Sequence, residues 1–404
     1  MKTTNYILYE VFSIKFNEET CEQCGNCLFK CPFLKISQEN AKEAIIHMIE
    51  TRTKNESLKN CIGCGYCDNI CPTYSNPSEL IREINIMNIS KQGLPRFYFI
   101  TEEIPFNSAT IAMQIETETK EVKLREYQNP PISEEMFYLG CSLSYIQTDL
   151  LNTKLLEGLP KIGGAKYCCG GFVTMFGDDE VKIKGKSLLD EFKRLGVKKF
   201  IMFCPGCLGM MKGIYSNLIP EFKGGIEFQT FSQYLLEKYH KDEIKFTNKR
   251  NERITFHDPC AWLGLDEEVY NAPRELLEIL GYEVVEMKHN RKMTLCCASS
   301  VADSNKELYK EITGMRITEA EEIGAKMMAV SCTGCLSLAT PARERNIETY
   351  HIIELAQMGI GEKPPHRTIE LRENYKKLLE KTLEENPDLL KDKVILKDGK
   401  IQGL

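Results

Sequence analysis

All eighteen cysteines of this chain fall into sets spaced as metal ligands are spaced. Cys21, Cys24, Cys27 and Cys31 precede Pro32, and Cys61, Cys64, Cys67 and Cys71 precede Pro72. Both runs read C-x2-C-x2-C-x3-C-P, the second at an offset of 40 residues (61 − 21). Cys168, Cys169, Cys204 and Cys207 then recur as Cys296, Cys297, Cys332 and Cys335, each shifted by 128 residues (296 − 168). One further cysteine stands upstream in each half, Cys141 and Cys260. Thiolates in this number and order are the usual ligands of iron–sulfur clusters, and the chemistry they support is electron transfer.

The first two runs resemble those of bacterial two-cluster ferredoxins. Three thiolates two residues apart can wrap one cube only through tight turns, which Gly25, Gly63 and Gly65 permit. The fourth cysteine of each run points across to the other cube, so the expected ligand sets are Cys21, Cys24, Cys27 and Cys71 for one cubane and Cys61, Cys64, Cys67 and Cys31 for the other. Zinc fits less well, because its sites use two separated pairs. Gln38 to Leu58 reads as a polar, helix-like spacer. Ser78 is a candidate N-cap for a helix running to Ile89.

Four matched offsets predict two homologous domains. Short apolar stretches at 137–139, 200–203, 254–256 and 327–330 read as strands, and Asp179 to Leu195 and Lys306 to Ile323 read as helices closed by Gly196 and Gly324. Cysteines then lie where strands end, which is where parallel α/β sheets bind ligands. Adjacent pairs such as Cys168-Cys169 are unusual, since neighbouring side chains diverge. Five thiolates exceed what a cube needs. Either one per half is free, or the cluster is larger or opened.

The bulk properties narrow the class. A length of 404 residues suggests two or three domains, and 42% hydrophobic residues is ordinary for a globular chain. A formal charge of −6 argues against nucleic acid as a general partner. No apolar run is long enough to span a membrane. Met1 to Phe16 lacks the pattern of a secretory leader. Metal rather than disulfide is the expected use of the thiols, in a reducing cytoplasm or at a membrane's inner face through a partner subunit.

Cys141, Cys168-Cys169-Gly170 and Cys204-Pro-Gly-Cys207 resemble the cysteine-rich CCG domain, and His257-Asp-Pro-Cys260 onward resembles a second one. The whole order is similar to the catalytic D-type subunit family of heterodisulfide reductases. It also occurs in iron–sulfur subunits of glycolate, lactate and glycerol-3-phosphate dehydrogenases. The resemblance implies an α/β (α+β overall) architecture: a mostly helical two-[4Fe-4S] ferredoxin module at 1–90, a linker at 91–132, Rossmann-like CCG domains at 133–245 and 246–360, and a charged helical tail at 361–404. It implies a noncubane [4Fe-4S] cluster on Cys141, Cys168, Cys169, Cys204 and Cys207, and another on Cys260, Cys296, Cys297, Cys332 and Cys335. One departure is Cys296-Cys297-Ala298, where the family carries glycine third. Ala298 is tolerable only if its backbone angles suit a residue with a Cβ.

The expected function is cleavage of a small-molecule disulfide, or oxidation of two thiols, between the paired noncubane clusters, fed by the cubane pair. The alternative is an electron-transfer subunit of a flavin-dependent dehydrogenase. The expected electron partner is a cytochrome b-type membrane subunit or a flavoprotein. His257 and Asp258 are candidate proton donors, with loop-orienting hydrogen bonds as the default reading. Arg291 and Lys292 read as a solvated basic turn, and Met210, Met211, Met327 and Met328 as packing. The segment from Glu362 reads as a solvated terminal helix.

Overall fold

A computed structural model describes residues 15–104, 107–302 and 304–403. The leader reading rests on a segment of which residues 1–14 lie outside the described residues. The chain divides into two compact units, 1–85 and 86–404. The division falls inside helix Pro77–Gln92.

In the first unit each cysteine run winds into a short helix, Asn26–Phe29 or Tyr66–Ile70. Gly25 and Gly65 open these helices at φ of 73° and 79°, in the left-handed region that a Cβ disfavours. Helix Gln38–Thr51 is capped by Ser37, whose hydroxyl accepts from the Asn40 amide at 3.2 Å. It is no spacer: Ala41, Ala44, Ile45 and Met48 are buried with Leu28, Leu80 and Ile84. Its 3.6-residue apolar stripe is interleaved with enough polar residues to hide it in the composition. Ser78 also departs from expectation. It lies within the first turn of its helix, and its amide donates to Asp68 Oδ1 at 2.8 Å.

The second unit contains all the described strands. β1 is Leu94–Pro95. β2 (Glu135–Gly140), β3 (Lys161–Gly163), β4 (Lys199–Met202) and β5 (Glu227–Thr230) form one parallel sheet in the order β3-β2-β4-β5. β6 (Arg253–His257), β7 (Glu283–Val284), β8 (Met327–Val330) and β9 (Glu348–His351) repeat it as β7-β6-β8-β9. β2 lies beside β4 with Tyr138 opposite Met202, and β6 beside β8 with His257 opposite Val330. Helices Asp178–Arg194 and Lys306–Glu322 cross over to β4 and β8 and occupy matching positions at the 128-residue offset (306 − 178). The fold is thus α/β, with a helical N-terminal region followed by two parallel four-stranded sheets.

Two segments do more than their composition suggests. Residues 91–132, expected as a linker, carry β1 and helices Ser108–Met113 and Thr117–Gln128, with Ile111, Ala112 and Tyr127 buried. The tail is not simply solvated. Helix Thr368–Glu385 buries Leu371 and Leu379, and β10 (Lys393–Lys397) and β11 (Lys400–Gly403) form a hairpin with β10 paired to β1. The Gly399 amide donates to Glu180 Oε2 at 2.8 Å, fixing the hairpin on helix Asp178–Arg194. Both segments hide sparse apolar residues among charges, a pattern that favours burial only once a partner surface exists.

Candidate metal centres

Within the first unit the cysteines separate into two groups. Cys21, Cys24 and Cys71 all act electrostatically on Cys27, whose thiol is pushed up to about 12 by burial and then by these sulfurs. Cys61 acts on Cys31, and Cys27, Cys61 and Cys64 act on Cys67, so the two groups adjoin at Cys27 and Cys67. The last cysteine of each run therefore sits with the opposite run. Cys31, Cys61, Cys64 and Cys67 also line one cavity with Cys27. Desolvation raises Cys21, Cys27, Cys31 and Cys67, as expected of thiols held inward without a cation.

In the second unit the late cysteines gather at the carboxyl ends of β2, β4, β6 and β8. This is the switch point of each sheet, where neighbouring strands lead off to opposite sides. The thiols act on one another in sequence, Cys141 with Cys168, Cys168 with Cys169, Cys169 with Cys207, and Cys207 with Cys204, which places the five side chains together. The second half repeats the ring. Cys260 lies 3.7 Å from Cys296, and Cys296 contacts Cys297, Cys297 contacts Cys335, and Cys335 contacts Cys332. Cys168, Cys204 and Cys297 are drawn well below the ordinary thiol range by neighbouring S–H groups, while their partners are pushed up. Neither half leaves a cysteine outside its ring.

The two rings also meet. The thiols of Cys204 in the first and Cys332 in the second act directly on one another. The close approach depends on Gly209, where a Cβ would fall 2.4 Å from the carbonyl oxygen of Ala261. Gly209 opens a π-helical segment, Gly209–Tyr215, directly after the Cys204–Cys207 pair. π-turns are rare and cluster at functional sites. Across the same junction His351 stacks on Phe203 with ring centroids 4.7 Å apart.

Ala298 does take the glycine-type conformation, with φ 57° and ψ 17°, against 73° and 31° at Gly170. The substitution is therefore carried with strain rather than relieved by a change of backbone. Room differs as well. A Cβ at Gly170 would meet Lys184 Cγ at 2.8 Å, whereas the Ala298 methyl is fully buried.

Asp258 is wholly buried and its carboxylate is fully engaged. It accepts from Arg274 Nη1 at 2.8 Å, from Arg274 Nη2 at 2.7 Å and from the Arg291 amide at 2.7 Å. Arg274 is held in turn by Glu286 at 2.6 Å. His257, equally buried, accepts at Nδ1 from Arg316 Nε at 2.9 Å. The ring lies beside sulfur: ligand atoms of His257, Cys297 and Cys335 all lie within 4.8 Å of one another. Arg291 and Lys292 are partly exposed and pair with Glu286 and Glu267. Met210, Met211 and Met328 pack in the core.

The donor set suits iron–sulfur clusters. Sulfur predominates, the thiols converge, and buried nitrogens (His257 Nε2 and Arg316 Nη2) find no geometrically sound hydrogen bond among the described residues. Orphaned donors beside a ring of sulfurs are what an anionic cluster would satisfy.

Comparison with known proteins agrees with the geometry. Residues 136–212 and 254–338 match the CCG family, cysteine-rich domain, and residues 13–72 match a 4Fe-4S dicluster domain. The D subunit of dihydromethanophenazine:CoB–CoM heterodisulfide reductase from Methanosarcina barkeri is 24% identical over 391 residues, covering 85% of this chain and 94% of that protein. The B subunit of fumarate reductase (CoM/CoB) from Methanothermobacter marburgensis is 24% identical over 371 residues, covering 85% and 72%. EtfAB:quinone oxidoreductase of Syntrophomonas wolfei is 24% identical over 313 residues, covering 70% of this chain and 43% of that protein. Two of these three are by name subunits of larger assemblies. Among the described residues no helix is long and apolar enough to cross a membrane. With a 4Fe-4S dicluster domain followed by two cysteine-rich CCG domains, this chain is an iron–sulfur oxidoreductase similar over most of its length to the heterodisulfide reductase D subunits.

Proposed function

We propose that the chain reduces a small-molecule disulfide, or in reverse oxidises two thiols, at the junction of the two late cysteine rings. The observation that carries this reading is the Cys204–Cys332 contact, which brings the rings of the two CCG domains side by side. The balance is one disulfide, two electrons and two protons in, and two thiols out. A pair of adjacent one-electron centres matches that stoichiometry without a mixed disulfide to the protein. Noncubane [4Fe-4S] clusters on the two five-cysteine sets would supply single electrons and iron as a Lewis acid for the departing thiolates. Cubane clusters on Cys21, Cys24, Cys27 and Cys71 and on Cys61, Cys64, Cys67 and Cys31 would carry electrons to or from a partner, a cytochrome b-type or flavin subunit. On this reading 1–90 is the input module and 133–245 and 246–360 are the two halves of the active site. Phe203, Leu208, Phe231, Trp262 and Ile352 give the space beside Cys204 a mostly apolar wall, with Thr230, Ser232 and Ser331 as its hydroxyl-bearing members. Such a wall excludes water from a nascent thiolate.

The test is anaerobic purification with iron analysis and EPR. About sixteen irons per chain and a paramagnetic state induced by a thiol substrate after half-oxidation support the reading; about eight irons, all in the N-terminal module, overturn it. A second reading, an electron-transfer subunit, draws on the EtfAB:quinone oxidoreductase relative. Co-purification with a flavoprotein, and no disulfide reduction with a viologen donor, would favour it.

A further inference from the structure

The two CCG domains superpose in topology and cysteine placement, so their differences stand out. Three residues before the upstream cysteine of each half, at the same register position, lie Tyr138 (141 − 138) and His257 (260 − 257). On the crossover helices the 128-residue offset pairs Leu188 with Arg316 and Glu191 with Glu319. In the first domain the Tyr138 hydroxyl is spent on the carbonyl of Tyr167, and Leu188 is an ordinary buried apolar residue. In the second, Arg316 is fully buried and donates from Nε to His257 Nδ1 at 2.9 Å and from Nη1 to Glu319 at 2.6 Å.

An arginine can only donate. His257 Nδ1 must therefore be the acceptor nitrogen of a neutral imidazole, and the single ring proton is confined to Nε2. That nitrogen is buried with no hydrogen-bond partner among the described residues, and the ring lies beside the sulfurs of Cys297 and Cys335, ligand atoms of the three residues being within 4.8 Å of one another. Among the described residues the first ring has no imidazole fixed in this way: the Ser142 hydroxyl acts on Cys204, and its nearby cation is Lys184, half-buried and acting on Cys168. Glu319 offsets the charge of Arg316, so what distinguishes the second ring is an oriented N–H rather than a net charge.

We propose that His257, locked by Arg316 as a donor toward Cys297, makes the second late centre the easier of the two to reduce, so the paired centres are electronically unequal and fill in a set order. Reduction adds negative charge to a cluster, and a hydrogen bond to a ligand sulfur stabilises that charge. This rests on the reading of two late clusters given above. His257 acts through Cys297 as a positioning residue.

The experiment is an EPR-monitored redox titration of the anaerobically loaded full-length chain, with His257→Phe and His257→Gln alongside, and 15N-histidine labelling of the unsubstituted protein. In His257→Phe the one-electron reduction constant of one late centre should fall about tenfold, equivalent to about 59 mV. The other late centre should stay where it is. His257→Gln, which keeps an N–H near the Nε2 position, should recover part of the shift. Pulsed EPR should show weak 15N coupling at the same centre only, and this readout does not depend on any variant folding. No 15N coupling, or an equal shift of both centres, overturns the proposal. Strong coupling with loss of iron in His257→Phe also overturns it, by making the imidazole a ligand. Absence of both late centres from the unsubstituted protein removes the clusters themselves and overturns the proposed function with it, whereas two centres present and unshifted defeat this inference alone.

Discussion

Replacing Asp258 by Asn asks whether this carboxylate serves structure or chemistry. Asp258 is buried and its charge is balanced by Arg274, whose side chain is only 6% exposed. Removing one member of such a pair typically costs about 3–5 kcal/mol, because the other charge stays buried. Here Arg274 keeps Glu286 through Nε at 2.6 Å and Nη2 at 3.0 Å. Asn also preserves the shape and one acceptor. The expected loss is therefore at the lower end, about 3 kcal/mol. For a large domain, about 2 °C in Tm per kcal/mol gives a fall of about 6 °C. Circular dichroism of the anaerobically loaded protein measures it. Trp262, the chain's only tryptophan and buried at the domain junction, gives an independent fluorescence probe in the cluster-free protein. In an Arg274→Met background the same substitution should cost less than about 1 kcal/mol, since the pair is already broken. An equal cost in both backgrounds would refute the ion-pair argument. An unchanged Tm with turnover abolished would make Asp258 a chemical group instead of the clamp on the loop that presents Cys260.

The remaining expectations concern packing and charge. Gly170→Ala should destabilise by about 1–2 kcal/mol from left-handed strain alone, with displacement of Lys184 added, because a Cβ there meets Lys184 Cγ at 2.8 Å. Ala298→Gly should be within about 1 kcal/mol of neutral, as relieved strain offsets a lost buried methyl and added unfolded-state freedom; chemical denaturation measures both, and a large loss at Ala298 would contradict its strained assignment. Gly209→Val should force the Cys204 and Cys332 rings apart, weakening magnetic coupling between the late centres while iron content holds; unchanged coupling would refute the close-approach argument. Lys120 is buried, donates to the carbonyls of Ala112 and Ser144, and is lowered to about 8 by burial. The unfolded chain then binds more protons between pH 8 and the ordinary lysine value near 10.5. This group's contribution to stability therefore rises with pH across that window, by up to about 3 kcal/mol, and is smallest below it. The difference in unfolding free energy between the unsubstituted protein and Lys120→Met should follow that slope, and a flat difference would exclude the shift.

Cysteine spacing alone carried the iron–sulfur reading, the two-fold repeat and the strands at 200–203 and 327–330, and it supplied the expected ligand groups and crossed sets that the proposal uses, because these are local or periodic and one residue type marks them. It also pointed to the resemblance on which the functional reading rests. Spacing could not reveal that Gln38–Thr51 is core, that 91–132 and the tail fold onto the second unit, or that Ala298 keeps a glycine's backbone angles. Each depends on a partner surface far away in sequence. The pairing of His257 with Arg316 and Cys297 was half visible: the histidine stood three residues before Cys260, but only the sheet register and the crossover helix bring a guanidinium to one side of its ring and a thiol to the other. Local chemistry can be read along a chain, since side-chain type and spacing persist in any fold. Burial, hydrogen-bond direction and the meeting of two distant rings at Gly209 and Ala261 are set by long-range packing, and only the tertiary structure decides them.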